Sequence, residues 1–173
     1  MTISLYEVSV PSYLQTLTAA HAFMKKGREF CVGEGLAEGD IAGLRLAPDM
    51  QPFSFQIVSI AHHSKGAIEG VLSGAFAPPS MTSDHDFDGL LSLISGAIER
   101  LEQISPQDLD AKSDGRVDFS LGKHVIPFKA ANFLLSFSLP NFYFHTATAY
   151  DLLRRQGVPL GKRDYLGALR MGA

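Results

Sequence analysis

The sequence predicts an all-α fold, a four-helix bundle with a long crossover connection and a small β-hairpin between helices three and four. Three observations carry that prediction. Four stretches repeat apolar residues at helical spacing, a Gly-rich segment separates the first two, and a short period-two alternation falls before the last. At 173 residues the chain is expected to form one domain over 1–173, long enough to bury roughly 70% of its unfolded surface without disulfides or a structural metal.

Helix one opens on Ser4 with Glu7 three residues on, the spacing of a capping box. Val10, Leu14, Leu17, His21, Met24 and Cys31 then follow helical spacing until Gly33 and Gly35, and Pro11 predicts a kink. His21 lies close to the inner stripe, where a lone histidine is more often a core residue than a ligand. Residues 34–48 predict a loop with at most a short helical turn over 37–44. Asp49 offers a cap for helix two, whose inner side carries Phe53, Gln56, Ile57, Ile60, His63, Ala67 and Val71. His63 is therefore inward and His62 nearer the edge or solvent, and Lys65 reads as a solvated charge.

Residues 74–86 predict a loop with His85 exposed, and Ser83 with Asp86 has cap-like spacing. Helix three carries Phe87, Leu90, Leu91, Ile94, Ala97, Ile98, Leu101 and Ile104, an apolar face with nothing reactive on it. After Ser105-Pro106, Val117, Phe119 and Leu121 alternate with polar residues, Gly122-Lys123 makes a turn, and residues 124–128 return as a second strand, with His124 decorating it.

Helix four, from Lys129 to Gln156, contains the most informative stretch. At 100° per residue Leu134, Phe137, Asn141, Phe144, His145, Thr148 and Leu152 share one stripe, so Asn141 and His145 project side by side from adjacent turns toward the core. An amide or imidazole buried there without a partner costs about 1–3 kcal/mol, so something must satisfy both. Pro140 predicts a bend one turn before His145. Beyond Gly157 the tail carries Lys162, Arg163 and Asp164 for surface ion pairs, and Tyr165, Leu166 and Leu169 to dock on the bundle or on a second subunit.

A net charge of −3 without a strong basic block argues against nucleic acid as a partner. The longest apolar runs break well before ~20 residues and the N-terminus lacks the pattern of a signal peptide, which predicts no membrane span and a cytoplasmic location. The lone Cys31 excludes an internal disulfide and a thiolate zinc site, and reads as a small apolar helix residue. The glycines of GEGLAEGD follow no strand, and no serine or cysteine sits in a nucleophile motif.

The order of elements, with SLYEVSVPSYLQTL, RLAPDM, HHSKGA and PNFYFHTATAYDLLRRQGVPLGKRDYLG, resembles the DinB-like four-helix bundle superfamily, and within it a family of unassigned function. The resemblance spans nearly the whole chain. It implies a divalent metal, zinc or nickel, held by one histidine on helix two and an H-x-x-x-H pair on helix four, and a homodimer. Carried over, the helix-two ligand falls on His63 and the second histidine of the pair on His145. Asn141 stands at the first position of the pair, a far weaker ligand than imidazole.

Three readings follow. In the first, His63 and His145 with Asn141 or His62 hold a metal that activates water or a thiol, as in thiol-dependent transferases or isomerases of the superfamily. In the second, His63, Asn141, His145 and Tyr143 or Tyr150 surround a small organic ligand without metal. In the third, the polar cluster is a satisfied hydrogen-bond network that fixes helix register in a protein acting through dimerisation or partner binding.

Overall fold

A computed structural model describes residues 4–79 and 85–172. Helix one runs Leu5–Gly33 and carries the predicted capping box: Ser4 Oγ accepts from the Glu7 amide at 3.1 Å, and Glu7 Oε2 accepts from the Ser4 amide at 3.2 Å. Pro11 lies within it without ending it. Val10, Leu17, Met24 and Cys31 are buried, so Cys31 packs as the small apolar residue expected, while Leu14 and His21 are half-buried. The connection to helix two contains one short helix, Glu38–Gly43.

Helix two starts at Phe53 and is α-helical over Phe53–Ala61, π-helical over His62–Gly66 and α-helical again over Ala67–Ser73. Asp49 does not cap it. Pro52 occupies the cap position with no side-chain bond, and the Phe53 amide donates to the Leu44 carbonyl at 2.8 Å, so the returning loop supplies the acceptor that a cap side chain would have supplied. Helix three, Phe87–Glu102, is capped by Asp86, which accepts from the Gly89 amide at 2.7 Å. Ser83 lies outside the described residues. Ser105-Pro106 opens a further short helix, Pro106–Asp110, for which the sequence shows too few periodic residues to predict a helix.

The four long helices do not all neighbour one another in chain order. Helix one packs on three and four, and helix two also packs on three and four, which puts one opposite two and three opposite four across the bundle. The long first connection and the third connection each carry the chain across a diagonal, which explains their length. The third connection holds the predicted hairpin, β2 Arg116–Leu121 and β3 His124–Lys129, paired antiparallel with Leu121 opposite His124. Segment 74–86 is not all loop. Ala75–Phe76 forms β1, parallel to β2 with Phe76 beside Phe119, so the hairpin becomes a three-stranded sheet of order β1-β2-β3. Gly74, at φ +83°, makes the turn from helix two into that strand. The third strand and buried Phe76, Val117 and Phe119 anchor a ribbon that would be marginal alone.

Helix four departs most from expectation. It is α-helical over Ala130–Asn132, π-helical over Phe133–Ser138 and α-helical over Leu139–Arg155, with Pro140 in the first turn of the last part. The irregularity predicted at Pro140 thus takes the form of a wide turn just before it, where a missing amide is tolerated. A π turn inserts one residue, so the inner stripe slips by one position. Phe142, Thr146, Ala149 and Leu153 line the core in place of Asn141, His145, Thr148 and Leu152, although the last two stay buried at its side. Phe144 is corrected from core to surface, 57% exposed, and Asn141 and His145 are half-buried on the flank.

The tail turns back onto the bundle through the short helix Lys162–Leu166, with Gln15 donating to the Leu166 carbonyl at 2.8 Å and Lys26 pairing with Asp164 at 3.4 Å. Leu169 remains exposed. No helix among the described residues is long and apolar enough to cross a membrane.

Candidate functional site

The two π turns meet at His63. Ser138, the last residue of the turn in helix four, donates from Oγ to the His63 carbonyl at 2.6 Å and accepts from the Tyr13 hydroxyl at 3.0 Å, all three residues being buried. A π turn leaves backbone carbonyls out of the regular α pattern, and here a side chain from the opposing helix serves one of them. Burial raises the Tyr13 phenol pKa further above neutrality, so the phenol stays protonated and donates.

Beside this chain the His63 and His145 rings face each other nearly parallel, 14° apart in plane and 5.9 Å between centroids. Phe76 and Phe137 flank His63, while Phe55 and Phe144 flank His145. Hydrogen bonding sets the His145 tautomer. Gln56 Nε2 donates to the Gln51 carbonyl at 2.9 Å, which turns Gln56 Oε1 toward His145 Nδ1, 2.7 Å away. An amide oxygen only accepts, so Nδ1 carries the hydrogen and Nε2 of the neutral ring holds the lone pair. His63 Nδ1 is buried and has no partner among the described residues.

Both rings are neutral near pH 7. Burial among aromatic rings pushes His63 down to about 3, with the His62 and His145 rings adding to it, and burial pushes His145 down to about 4. A base whose folded pKa lies below its unfolded value binds more protons when unfolded. Stability from this pair is therefore complete above the ordinary 6.5 and is lost as pH falls from there toward 4 and 3. We expect denaturant midpoints to fall between pH 6.5 and 4.5, with an initial slope approaching ~1.4 kcal/mol per pH unit for each histidine. In His63→Phe the slope should flatten; an unchanged slope would mean that other groups control acid unfolding.

The remaining expected residues fall elsewhere. Asn141 Nδ2 donates to the Phe137 carbonyl at 2.7 Å, one turn back, which leaves its oxygen and one N–H to offer. His62 stacks on Phe76, whose ring also flanks His63, and its Nε2 lies at the Ala77 carbonyl. Tyr143 is exposed, and Tyr150 packs between Phe23 and Tyr165, so neither joins the pair. No ring contact or hydrogen bond among the described residues links His21 to His63 or His145. Gln56, Ser138 and Tyr13 are the members that sequence reasoning missed. Gln56 sat on the inner stripe of helix two as a polar residue in an apolar line, which was the available signal.

The donor set does not fit a resident zinc or nickel ion. Two imidazole nitrogens and one amide oxygen leave such an ion without a third strong ligand or an anion, and no group of three His, Cys, Asp or Glu among the described residues could hold one.

A family model described as "Domain of unknown function (DUF1993)" matches residues 5–166. Among solved structures, the chain is similar to a DinB family member protein from Shewanella denitrificans, with a TM-score of 0.79, 24% identity, and coverage of 98% of this chain and 95% of that one. At that identity the likeness establishes a DinB-like fold and no more. No curated protein matches the chain.

Proposed function

The chain belongs to the DUF1993 family, and from that premise we propose that it is a metal-free binder of a small hydrogen-bonding ligand, held between helices two and four by His63 and His145 with Asn141 at the rim. The observation that carries this reading is the orphaned Nδ1 of His63. A buried nitrogen without a partner costs about 1–3 kcal/mol, and a ligand that bonds to it removes that cost on binding. The ligand donates to His145 Nε2, meets His63 Nδ1 with its own polar group, and lays an apolar body against Phe55, Phe137 and Phe144. Binding is favoured over acid–base catalysis because protonating a ring of pKa about 4 at pH 7 costs roughly 4 kcal/mol.

The test compares the wild type with His63→Phe and His145→Phe in a thermal-shift screen of neutral amide and alcohol fragments. His63→Phe should raise the melting temperature by about 2–6 °C by removing the orphan, while losing every fragment that stabilises the wild type. Fragments that stabilise both variants as well as the wild type would overturn the reading, as would a screen without any stabilising fragment.

A divalent-metal enzyme is the second reading, favoured by the same pair of neutral imidazoles. Elemental analysis of tag-free protein purified without chelator separates the two. We expect far less than one zinc or nickel per chain; near-stoichiometric metal that disappears in His63→Ala and His145→Ala would replace the first reading with the second. We also propose a cytoplasmic homodimer, for which light scattering should give twice the chain mass.

A further inference from the structure

The tandem histidines of helix two part in the π turn. His63 faces helix four, whereas His62 stacks on Phe76 at 4.4 Å and 30°, with Nε2 2.7 Å from the Ala77 carbonyl oxygen. A carbonyl only accepts, so Nε2 carries the hydrogen, and the neutral ring keeps its lone pair on Nδ1. That nitrogen makes no hydrogen bond among the described residues. It lies over Gly66, where a Cβ would come within 3.2 Å of it, tighter than ordinary contact, so the glycine keeps that side of the ring open. Phe76 of β1 provides the stacking partner and Ala77, the residue after the strand, the acceptor, and together they hold the ring in one orientation.

His62 borders a cleft of about 530 Å³ between the outer face of helix two, the β1 segment and helix three, within the size range of small-molecule sites. Lys65, Gly66, Phe76, His85 and Leu93 also line it. Lys65, expected as a solvated charge, and His85, expected as exposed, are both half-buried there. The cleft's carboxylate, Glu69, is engaged by Arg100 at 3.2 Å, whereas Lys65 pairs with no carboxylate among the described residues. The cleft thus combines a cation, a fixed acceptor nitrogen and an apolar wall.

We propose that this cleft is a second binding site, for a small hydroxycarboxylate with a hydrocarbon body: its carboxylate on Lys65, its hydroxyl donating to His62 Nδ1, and its chain against Phe76 and Leu93. The cleft is distinct from the His63–His145 pair, since His63, Asn141 and His145 do not line it, although Phe76 borders both and the His62 and His63 rings meet edge-on at 5.5 Å.

The test titrates isotope-labelled full-length protein with 2-hydroxyhexanoate, with hexanoate and 1,2-hexanediol as comparators that lack the hydroxyl or the carboxylate. Amide shifts of Gly66, Gly70 and Ala77 and the long-range imidazole nitrogen spectrum are the readouts. Saturable millimolar binding should move His62 Nδ1 and leave His145 in place. Each comparator, and each of Lys65→Met and His62→Phe, should weaken binding at least ~10-fold, the effect of losing one hydrogen bond to a charged or buried group. The proposal is overturned by no saturable shift at ~20 mM, by hexanoate and the diol binding as well as the hydroxy acid, by binding that survives Lys65→Met, or by shifts centred on His145.

Discussion

Phe142→Ala should destabilise the protein by about 3–5 kcal/mol, a fall of roughly 10 °C in melting temperature, while Phe144→Ala two residues on should stay within about 0.5 kcal/mol. Phe142 is fully buried and meets the Tyr13 ring edge-on at 4.9 Å, whereas Phe144 is 57% exposed and touches the rim of the histidine pair. The uninterrupted helical period predicts the reverse order, with Phe144 inside. Denaturant unfolding of the two variants therefore measures the slip that the π turn introduces. Equal costs, or a larger cost for Phe144→Ala, would show that the stripe does not slip.

The second large effect lies at the junction of the two wide turns. Ser138→Ala removes at once the acceptor of the buried Tyr13 hydroxyl and the donor to the His63 carbonyl. Two orphans at about 1–3 kcal/mol each predict a loss of roughly 2–5 kcal/mol. Adding Tyr13→Phe to that variant deletes one of the orphans and should restore about 1 kcal/mol or more, although Tyr13→Phe alone destabilises the wild type. Because the backbone of His63 is one end of this chain, Ser138→Ala should also shift the ring resonances of His63 and His145. Additive costs for the pair would mean that the Tyr13–Ser138 bond contributes nothing to the native state.

Much of the bundle was legible because its signals are local. Ser4 and Glu7 are three residues apart, and a cap formed from such neighbours does not depend on the rest of the fold. Helix three bears nothing polar on its inner face, and one period runs through it unbroken from Phe87, where it was expected to begin, to Glu102, with only Ile104 of the predicted stripe falling beyond its end. The Gly122-Lys123 turn was readable for the same reason. The β1 strand was not readable, because two residues show no alternation and Ala75–Phe76 is a strand only through its pairing with β2.

The site was half legible. Spacing alone put His63 inside, and the family resemblance pointed to His145 as its partner on the neighbouring helix four; the two rings do face each other. Asn141 was expected beside them on the core stripe, but the slip moved it to the flank, where its amide donates to its own helix. Gln56 was on the inner stripe from the start. Its role in setting the His145 tautomer depends on the Gln51 carbonyl, in a segment whose path no periodicity describes.

By itself, then, the sequence determined the long helices, the Ser4 cap of the first, the hairpin turn and the inward direction of His63, since each depends on residues within about one turn of one another. Only the tertiary structure decided the diagonal order of the helices, the slip of helix four, the seating of His62 against Phe76, and the isolation of His63 Nδ1. The order of the helices rests on packing between distant stretches, and the slip rests on a π turn, which changes which carbonyl each amide meets and whose cost is offset by contacts from another helix, such as Ser138 on the His63 carbonyl, that no single stretch of sequence contains.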